Sequence, residues 1–348
     1  MTTFERVLLA VDWGDDVIGR LVDRLGADRV TRCDPADDAS IGRALRVADA
    51  AITSAGPDAR FVAAPSLRWL HVDHAGIDRF APVELVGGDL VVTTSAGRSG
   101  PALGEHALAL LLAVTHRHGA LERSRQRRAW TTWPLHGRAP LVGRRAVVFG
   151  CGNTGSAFAT RAAAMGMSVV GVRRTPGEPP PGFDDVVVAP GPAERRAVLA
   201  DADVVVLAVP LTDDTHHLVG SAEFAALPDG AVVVNVARGA VIDESALVAA
   251  LRSGRLGGAG LDVVTHEPLG VTSALWRFRN VVISPHATPR LADRDARSLE
   301  IVESVLDDLD AGRPVRRRLT AADAYTKSEP RPTLDRLATS AWLRLQRR

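Results

Sequence analysis

The sequence predicts an α/β protein made of two doubly wound domains, each built on a parallel sheet. Three observations carry that prediction. Short apolar, β-branched runs alternate with helical segments, as they do when parallel strands are buried on both faces. One of these runs, Ala146 to Phe149, is followed at once by Gly150-Cys151-Gly152-Asn153-Thr154-Gly155 and then a helical stretch. The chain is also 348 residues long, room for about two cores.

Composition excludes several classes of function. Lys plus Arg number 42 against 41 Asp plus Glu, a net charge of +1, so no global field draws the chain to nucleic acid or membrane. Lys327 is the only lysine, which a GC-rich coding bias explains without any arginine-specific function. The two cysteines, Cys33 and Cys151, make neither a disulfide framework nor a metal site, and fit a reducing, cytoplasmic setting. A membrane span needs about 20 apolar residues. The longest candidate, Ala102 to Val114, is shorter and includes Glu105 and His106. The N-terminus runs straight into a strand-like segment with no signal-peptide pattern. A soluble protein is expected.

In chain order, Val7 to Val11, Ala50 to Thr53 and Leu70 to Val72 read as the first strands, with helical segments such as Ile41 to Ala48 between them. The third strand runs into Asp73-His74-Ala75-Gly76-Ile77-Asp78, where Gly76 lets backbone N–H groups approach an anion. Leu90 to Thr94 is a further strand. Pro101 suits the first turn of a long helix, expected from Ala102 to Arg128 and basic in its second half. Residues 130–144 form a loop carrying Trp130 and Trp133. Ala146 to Phe149 and Ser168 to Val172 then bracket a helix from Ser156 to Met165.

That bracket gives the glycine pattern its meaning. Gly150 permits a tight turn, Gly152 lets the backbone reach a pyrophosphate at a helix N-terminus, and Gly155 allows close helix–strand packing. Asn153 and Thr154 occupy the variable positions. The strand then ends in Arg173-Arg174, where an acid commonly holds the adenine ribose. Paired guanidiniums suit a 2′-phosphate, so NADP(H) is preferred, with NAD(H) also admitted.

Residues 177–192 are rich in Pro and Gly and read as loop. Asp203 to Val209 is a strand closed by Pro210, and the segment through Thr215 can line the cofactor. Gly230 to Ala237 is a strand with Arg238 and Gly239 at its carboxyl end. A helix from Glu244 to Ser253, strands at Gly260 to Val264 and Val281 to Ser284, and a helix from Leu291 to Leu309 follow. The last helix is expected to return to the first domain. In the tail, Leu334, Leu337, Ala338, Ala341, Trp342 and Leu345 have helical spacing.

Arg238, Glu267 and His286 each follow a separate apolar strand, and parallel strands present such residues on one edge of the sheet. Ketone reduction needs a hydride on carbon and a proton on oxygen. His286 can give the proton, Glu267 beside it favours the protonated ring, and the Arg238 guanidinium can clamp a carboxylate.

These motifs together resemble the D-isomer-specific 2-hydroxyacid dehydrogenase family. The likeness covers most of the chain: Ala75 to Asp78, Gly104-Glu105-His106, Gly150 to Gly155, Ala202 to Thr212, Val234 to Gly239, Gly260 to Pro268 and Asn280 to His286. The resemblance implies a flavodoxin-like substrate domain from both chain ends, residues 1–98 and 288–348. A Rossmann-type dinucleotide domain, residues 99–287, is inserted between them. It implies a small 2-oxo/2-hydroxy acid substrate of the glyoxylate or hydroxypyruvate class, hydride transfer from NAD(P)H, and a homodimer built through the helix after Pro101. By position, Arg238, Glu267 and His286 become the catalytic residues, and Ala75 and Gly76 offer backbone donors to the substrate. Val209, Pro210, Thr215, Val236, Ala237 and Asp262 line the cofactor with the glycine turn and Arg173-Arg174. His266, Thr288-Pro289 and Arg173-Arg174 depart from the family pattern. A 3-phosphoglycerate dehydrogenase, a phosphite dehydrogenase and a dinucleotide-sensing corepressor are the alternatives.

Overall fold

The computed structural model describes residues 4–76, 78, 83–86, 88–132, 135–137, 140–189, 191–287, 291–316 and 318–327. Trp133, Thr288-Pro289 and the helical spacing read between 334 and 345 lie outside these residues. The chain divides into two compact units, one comprising Met1–Ser99 and Arg290–Lys327, the other built around Gly100–Pro289.

The first unit contains β1 (Val7–Ala10), α1 (Asp15–Leu25), β2 (Val30–Arg32), α2 (Asp38–Ala44), β3 (Ala50–Thr53), α3 (Ala59–Val62), β4 (Trp69–Val72), α4 (Val83–Val86) and β5 (Val91–Thr94). Its sheet is parallel, in the order β2-β1-β3-β4-β5. Strand alternation sorts β1 onto two faces. Val7 and Leu9 join α1 residues Val17, Ile18 and Leu21, while Leu8 and Ala10 join Ile41, Leu45 and Phe61. Both faces are therefore covered, as an all-parallel sheet requires.

The second unit contains α5 (Gly100–Thr115), α6 (His118–Gln126), β6 (Arg145–Phe149), α7 (Asn153–Ala164), β7 (Ser168–Arg173), β8 (Asp185–Val188), α8 (Pro192–Leu199), β9 (Val204–Leu207), α9 (Ser221–Ala226), β10 (Ala231–Asn235), α10 (Glu244–Arg252), β11 (Leu256–Leu261) and β12 (Val281–Ile283). Its seven-stranded parallel sheet runs β12-β11-β10-β9-β6-β7-β8. The order reverses beside β6, so a topological switch point lies between β6 and β9, where open α/β sheets bind ligands. The returning helix α11 (Arg294–Asp310) packs Leu299, Val302, Val305 and Leu306 on the first unit's core, as the sequence indicates.

Three elements differ from the sequence reading. The long helix breaks in two at Arg117, which takes a left-handed φ of 54°. Ala107, Leu110, Leu111 and Val114 hold α5 on its sheet, but α6 buries nothing, so no packing force keeps the two collinear. The loop read at 177–192 contains β8, an edge strand whose neighbouring Pro and Gly residues mask it. The strand read at 260–264 begins earlier, at Leu256. Its glycines hide it in sequence and serve packing: a Cβ on Gly260 would come within 2.8 Å of Leu110 Cβ on α5.

Candidate active site

The glycine turn leaves β6 and enters α7. Gly150 has φ 96°, and a Cβ there would meet the Ala208 carbonyl of β9's end at 2.5 Å. A Cβ on Gly155 would sit within 1.9 Å of Gly150 O, so only glycine lets α7 start this close to the strand. Gly152 is the opposite case: a Cβ there meets no atom within 4 Å. It is the N-cap of α7 and gives no side-chain cap, so the amides of Asn153 and Thr154 keep donors for an anion. Arg173 closes β7 with Nε and Nη2 buried and lacking any acceptor. The Gly177 backbone lies against its guanidinium, 2.8 Å from Nη2 to where a Cβ would be. Arg174 is different: it is exposed and its Nη1 lies 3.7 Å from Asp214. The two arginines therefore do not act as a matched pair. The glycine turn and the free amides at the start of α7 fit the pyrophosphate of a dinucleotide.

Val209 and Pro210 follow β9, and the Thr215 hydroxyl closes the loop after them, donating to Pro210 O at 2.6 Å and accepting from Thr212 N at 2.8 Å. Thr215 thus fixes the shape of the loop that follows β9. Val236 and Ala237 are buried just beyond β10.

Arg238, Glu267 and His286 leave three adjacent strands. Asn235 pairs with Leu261, and Leu261 with Ile283, so β10, β11 and β12 end in register. His286 Nδ1 is 2.8 Å from Glu267 Oε2, and Glu267 Oε1 accepts weakly from Val264 N at 3.4 Å. With Nδ1–H donated to the carboxylate, Nε2 is the ring nitrogen left to exchange a proton. His286 holds a left-handed φ of 51°, unusual for a residue with a Cβ and typical of residues fixed by their surroundings. Arg238 Nη1 donates to Ala237 O at 2.8 Å. Its loop is fixed by Asn235, whose side chain donates to Arg238 O and accepts from Ala237 N. Gly239 then lets that loop lie directly on the next one, since a Cβ would fall 1.9 Å from Val264 C.

The family resemblance places Asp262 among the residues lining the cofactor. Its buried carboxylate accepts from Ser284 Oγ at 2.7 Å and Ala287 N at 3.2 Å, and its carbonyl accepts from His286 N at 2.8 Å. It therefore fixes the backbone on both sides of His286. Since Ser284 donates to Asp262, its oxygen is free to accept from His106 Nε2, 2.7 Å away on α5. The supporting roles of Asn235, His106, Ser284 and Gly239 were not read from the sequence. Asn235 and Gly239 flank Arg238 in the same short run, which is the signal that could have found them. Ala75 and Gly76 lie beyond the carboxyl end of β4 in the first unit, Ala75 exposed and Gly76 half-buried. Among the described residues no cluster of His, Cys, Asp or Glu could hold a metal ion, and no helix is long and apolar enough to cross a membrane.

Residues 108–288 match the family described as D-isomer specific 2-hydroxyacid dehydrogenase, NAD binding domain. The chain belongs to the D-isomer specific 2-hydroxyacid dehydrogenase family. It is 32% identical over 249 residues to a glyoxylate reductase of Korarchaeum cryptofilum, covering 70% of this chain and 73% of the relative. It is 30% identical over 331 residues to a D-3-phosphoglycerate dehydrogenase of Mycobacterium tuberculosis, covering 92% of this chain but 58% of that longer protein. Among solved structures, a D-isomer specific 2-hydroxyacid dehydrogenase of Xanthobacter autotrophicus in complex with NADPH and MES aligns with TM-score 0.75 and 30% identity, covering 92% of this chain and 99% of that one. The dehydrogenase therefore exchanges a hydride between a nicotinamide dinucleotide and a small 2-hydroxy or 2-oxo acid.

Proposed function

We propose that the dehydrogenase reduces a small 2-oxo acid of the glyoxylate or hydroxypyruvate class with NADPH, through Arg238, Glu267 and His286. The observation that carries the reading is the 2.8 Å contact between His286 Nδ1 and Glu267 Oε2 at the carboxyl edge of the sheet. The dinucleotide, when bound, supplies the hydride. The protonated His286 gives its Nε2 proton to the oxygen that becomes the hydroxyl, and Glu267 holds the resulting ring in place for reprotonation. Arg238 binds the substrate carboxylate and draws electron density from the adjacent carbonyl. Ala75 and Gly76 add backbone donors to that carboxylate.

The dinucleotide would lie against Gly150, Gly152, Asn153, Thr154 and Gly155, with Val209, Pro210, Val236, Ala237 and Asp262 lining the rest of its path. The unused Nε and Nη2 of Arg173 support the preference for NADP(H) over NAD(H), as does the relative's bound NADPH. The first unit then serves as the substrate domain and the second as the dinucleotide domain. Two free cysteines support a reducing, cytoplasmic setting. The bare face of α6, with Leu121 and the following Trp130 exposed, supports a homodimer through the α5–α6 region.

Paired NADPH and NADH oxidation assays over glyoxylate, hydroxypyruvate, pyruvate and bulkier 2-oxo acids test the proposal. The highest kcat/KM is expected with NADPH and one of the first two acids. NADPH binding without turnover of any 2-oxo acid would instead mark a dinucleotide-sensing protein.

A further inference from the structure

A second polar cluster belongs wholly to the first unit. Its centre is Asp73, the residue after β4, with no exposed surface. Oδ1 accepts from Ser95 Oγ at 2.6 Å and Arg98 Nη1 at 2.5 Å. Oδ2 accepts from Trp13 Nε1 at 2.8 Å and Arg294 Nη2 at 2.9 Å. Arg98 Nη1 also reaches Asp73 O and Ser298 Oγ. Arg294 Nη1 lies 3.6 Å from both Asp12 and Asp295. One buried carboxylate thus sits between two guanidiniums.

The proton direction at Ser95 can be assigned. Ser95 spends its hydroxyl proton on Asp73, so it accepts from His71 Nε2, 3.0 Å away. His71 Nδ1 lies 2.9 Å from Thr93 Oγ1. Thr93 in turn accepts from Trp69 Nε1 at 2.9 Å. Trp69, Thr93, His71 and Ser95 form a hydrogen-bonded chain ending on Asp73.

The segments joined at Asp73 are the informative part. Ser95 and Arg98 lie on the chain just before it leaves this unit at Ser99, and Arg294 and Ser298 lie just after it returns at Arg290. Asp73 itself stands two residues before Ala75. The stem of that loop is also tied down, by Ser95 N to His74 O at 3.1 Å and by His74 Nε2 to Ser54 O at 2.9 Å. Buried ion pairs are often no more stabilising than well-packed apolar residues of the same volume, so stability is a weak account of this cluster.

We infer that Asp73 is a positioning residue for the substrate: by binding Arg98 and Arg294 together, it ties the Ala75–Gly76 backbone to both chain segments that connect the first unit to the second. The inference rests on the reading of Ala75 and Gly76 as donors to the substrate carboxylate. Arg294 is the member to probe, since its side chain is partly exposed and its loss leaves Asp73 paired with Arg98.

The test compares Arg294→Gln, Arg294→Lys and wild type as full-length chains. In Arg294→Gln, KM for the best 2-oxo acid rises about tenfold, as expected for a misplaced positioning group, with kcat and the NADPH Kd within about twofold of wild type. Amides of 74–76 exchange with deuterium faster in the absence of substrate, and Arg294→Lys recovers most of both effects. Unchanged KM, or kcat falling in step with kcat/KM, overturns the inference. The exchange measurement needs no turnover. If wild type reduces no 2-oxo acid, the functional reading fails, while unchanged exchange at 74–76 in Arg294→Gln separately refutes the tie to this loop.

Discussion

Arg173 offers the sharpest quantitative test of cofactor choice. Its Nε and Nη2 are buried without acceptors, whereas Arg174 is exposed and already near Asp214. A hydrogen bond to a charged group contributes about 1.5–3 kcal/mol net. Two such bonds to a 2′-phosphate, taken at the lower value for a half-open site, give about 3 kcal/mol, or about two decades in Kd. Arg173→Ala is therefore expected to weaken NADPH about a hundredfold and NADH less than about threefold. Exposed pairs contribute about 1 kcal/mol at most, so Arg174→Ala should cost NADPH less than about fivefold. Fluorescence titration of both dinucleotides against both variants measures this. Equal weakening of NADPH and NADH by Arg173→Ala, or a larger effect from Arg174→Ala, refutes the assignment of the unused nitrogens.

Three further outcomes are expected. His286→Asn should lower kcat by about two to four decades, the usual worth of a general acid, with the NADPH Kd unchanged; near-wild-type single-turnover reduction would remove His286 from that role. Gly239→Ala places a Cβ 1.9 Å from Val264 C, so the Arg238 loop must shift, and kcat/KM should fall about a hundredfold, a loss that a value within twofold of wild type would contradict. Asp73→Asn tests pH-dependent stability. Burial pushes the Asp73 carboxyl up, but the Arg98 charge and the Ser95 and Trp13 hydrogen bonds outweigh it and hold it below the usual carboxylate range. The ionised form therefore stabilises the fold above the unfolded value of about 3.9, and that contribution is lost as pH falls through the lower folded value. Urea unfolding should show Asp73→Asn less stable by about 3 kcal/mol or more at pH 7, with the gap to wild type closing in strong acid. A gap independent of pH would show that the lost contribution is not ionic.

The sequence by itself determined the alternation of strands and helices, the glycine turn and the order of Arg238, Glu267 and His286. Each of these is written in neighbouring residues: a buried parallel strand must be continuously apolar, and a turn against a phosphate must lack side chains. Burial and pairing were decided only by tertiary structure. The helix break at Arg117 goes with an α6 that buries no residue against its own chain, and β11 is a strand because Gly258 and Gly260 admit α5 and the 280 backbone. The different states of Arg173 and Arg174, alike in sequence, depend on Asp214, 40 residues away. In sequence, Asp73 is one acid at the end of an apolar strand. Its role comes from Arg98 and Arg294, 25 and 221 residues distant, which meet it only because the returning helix packs on the sheet that β4 belongs to.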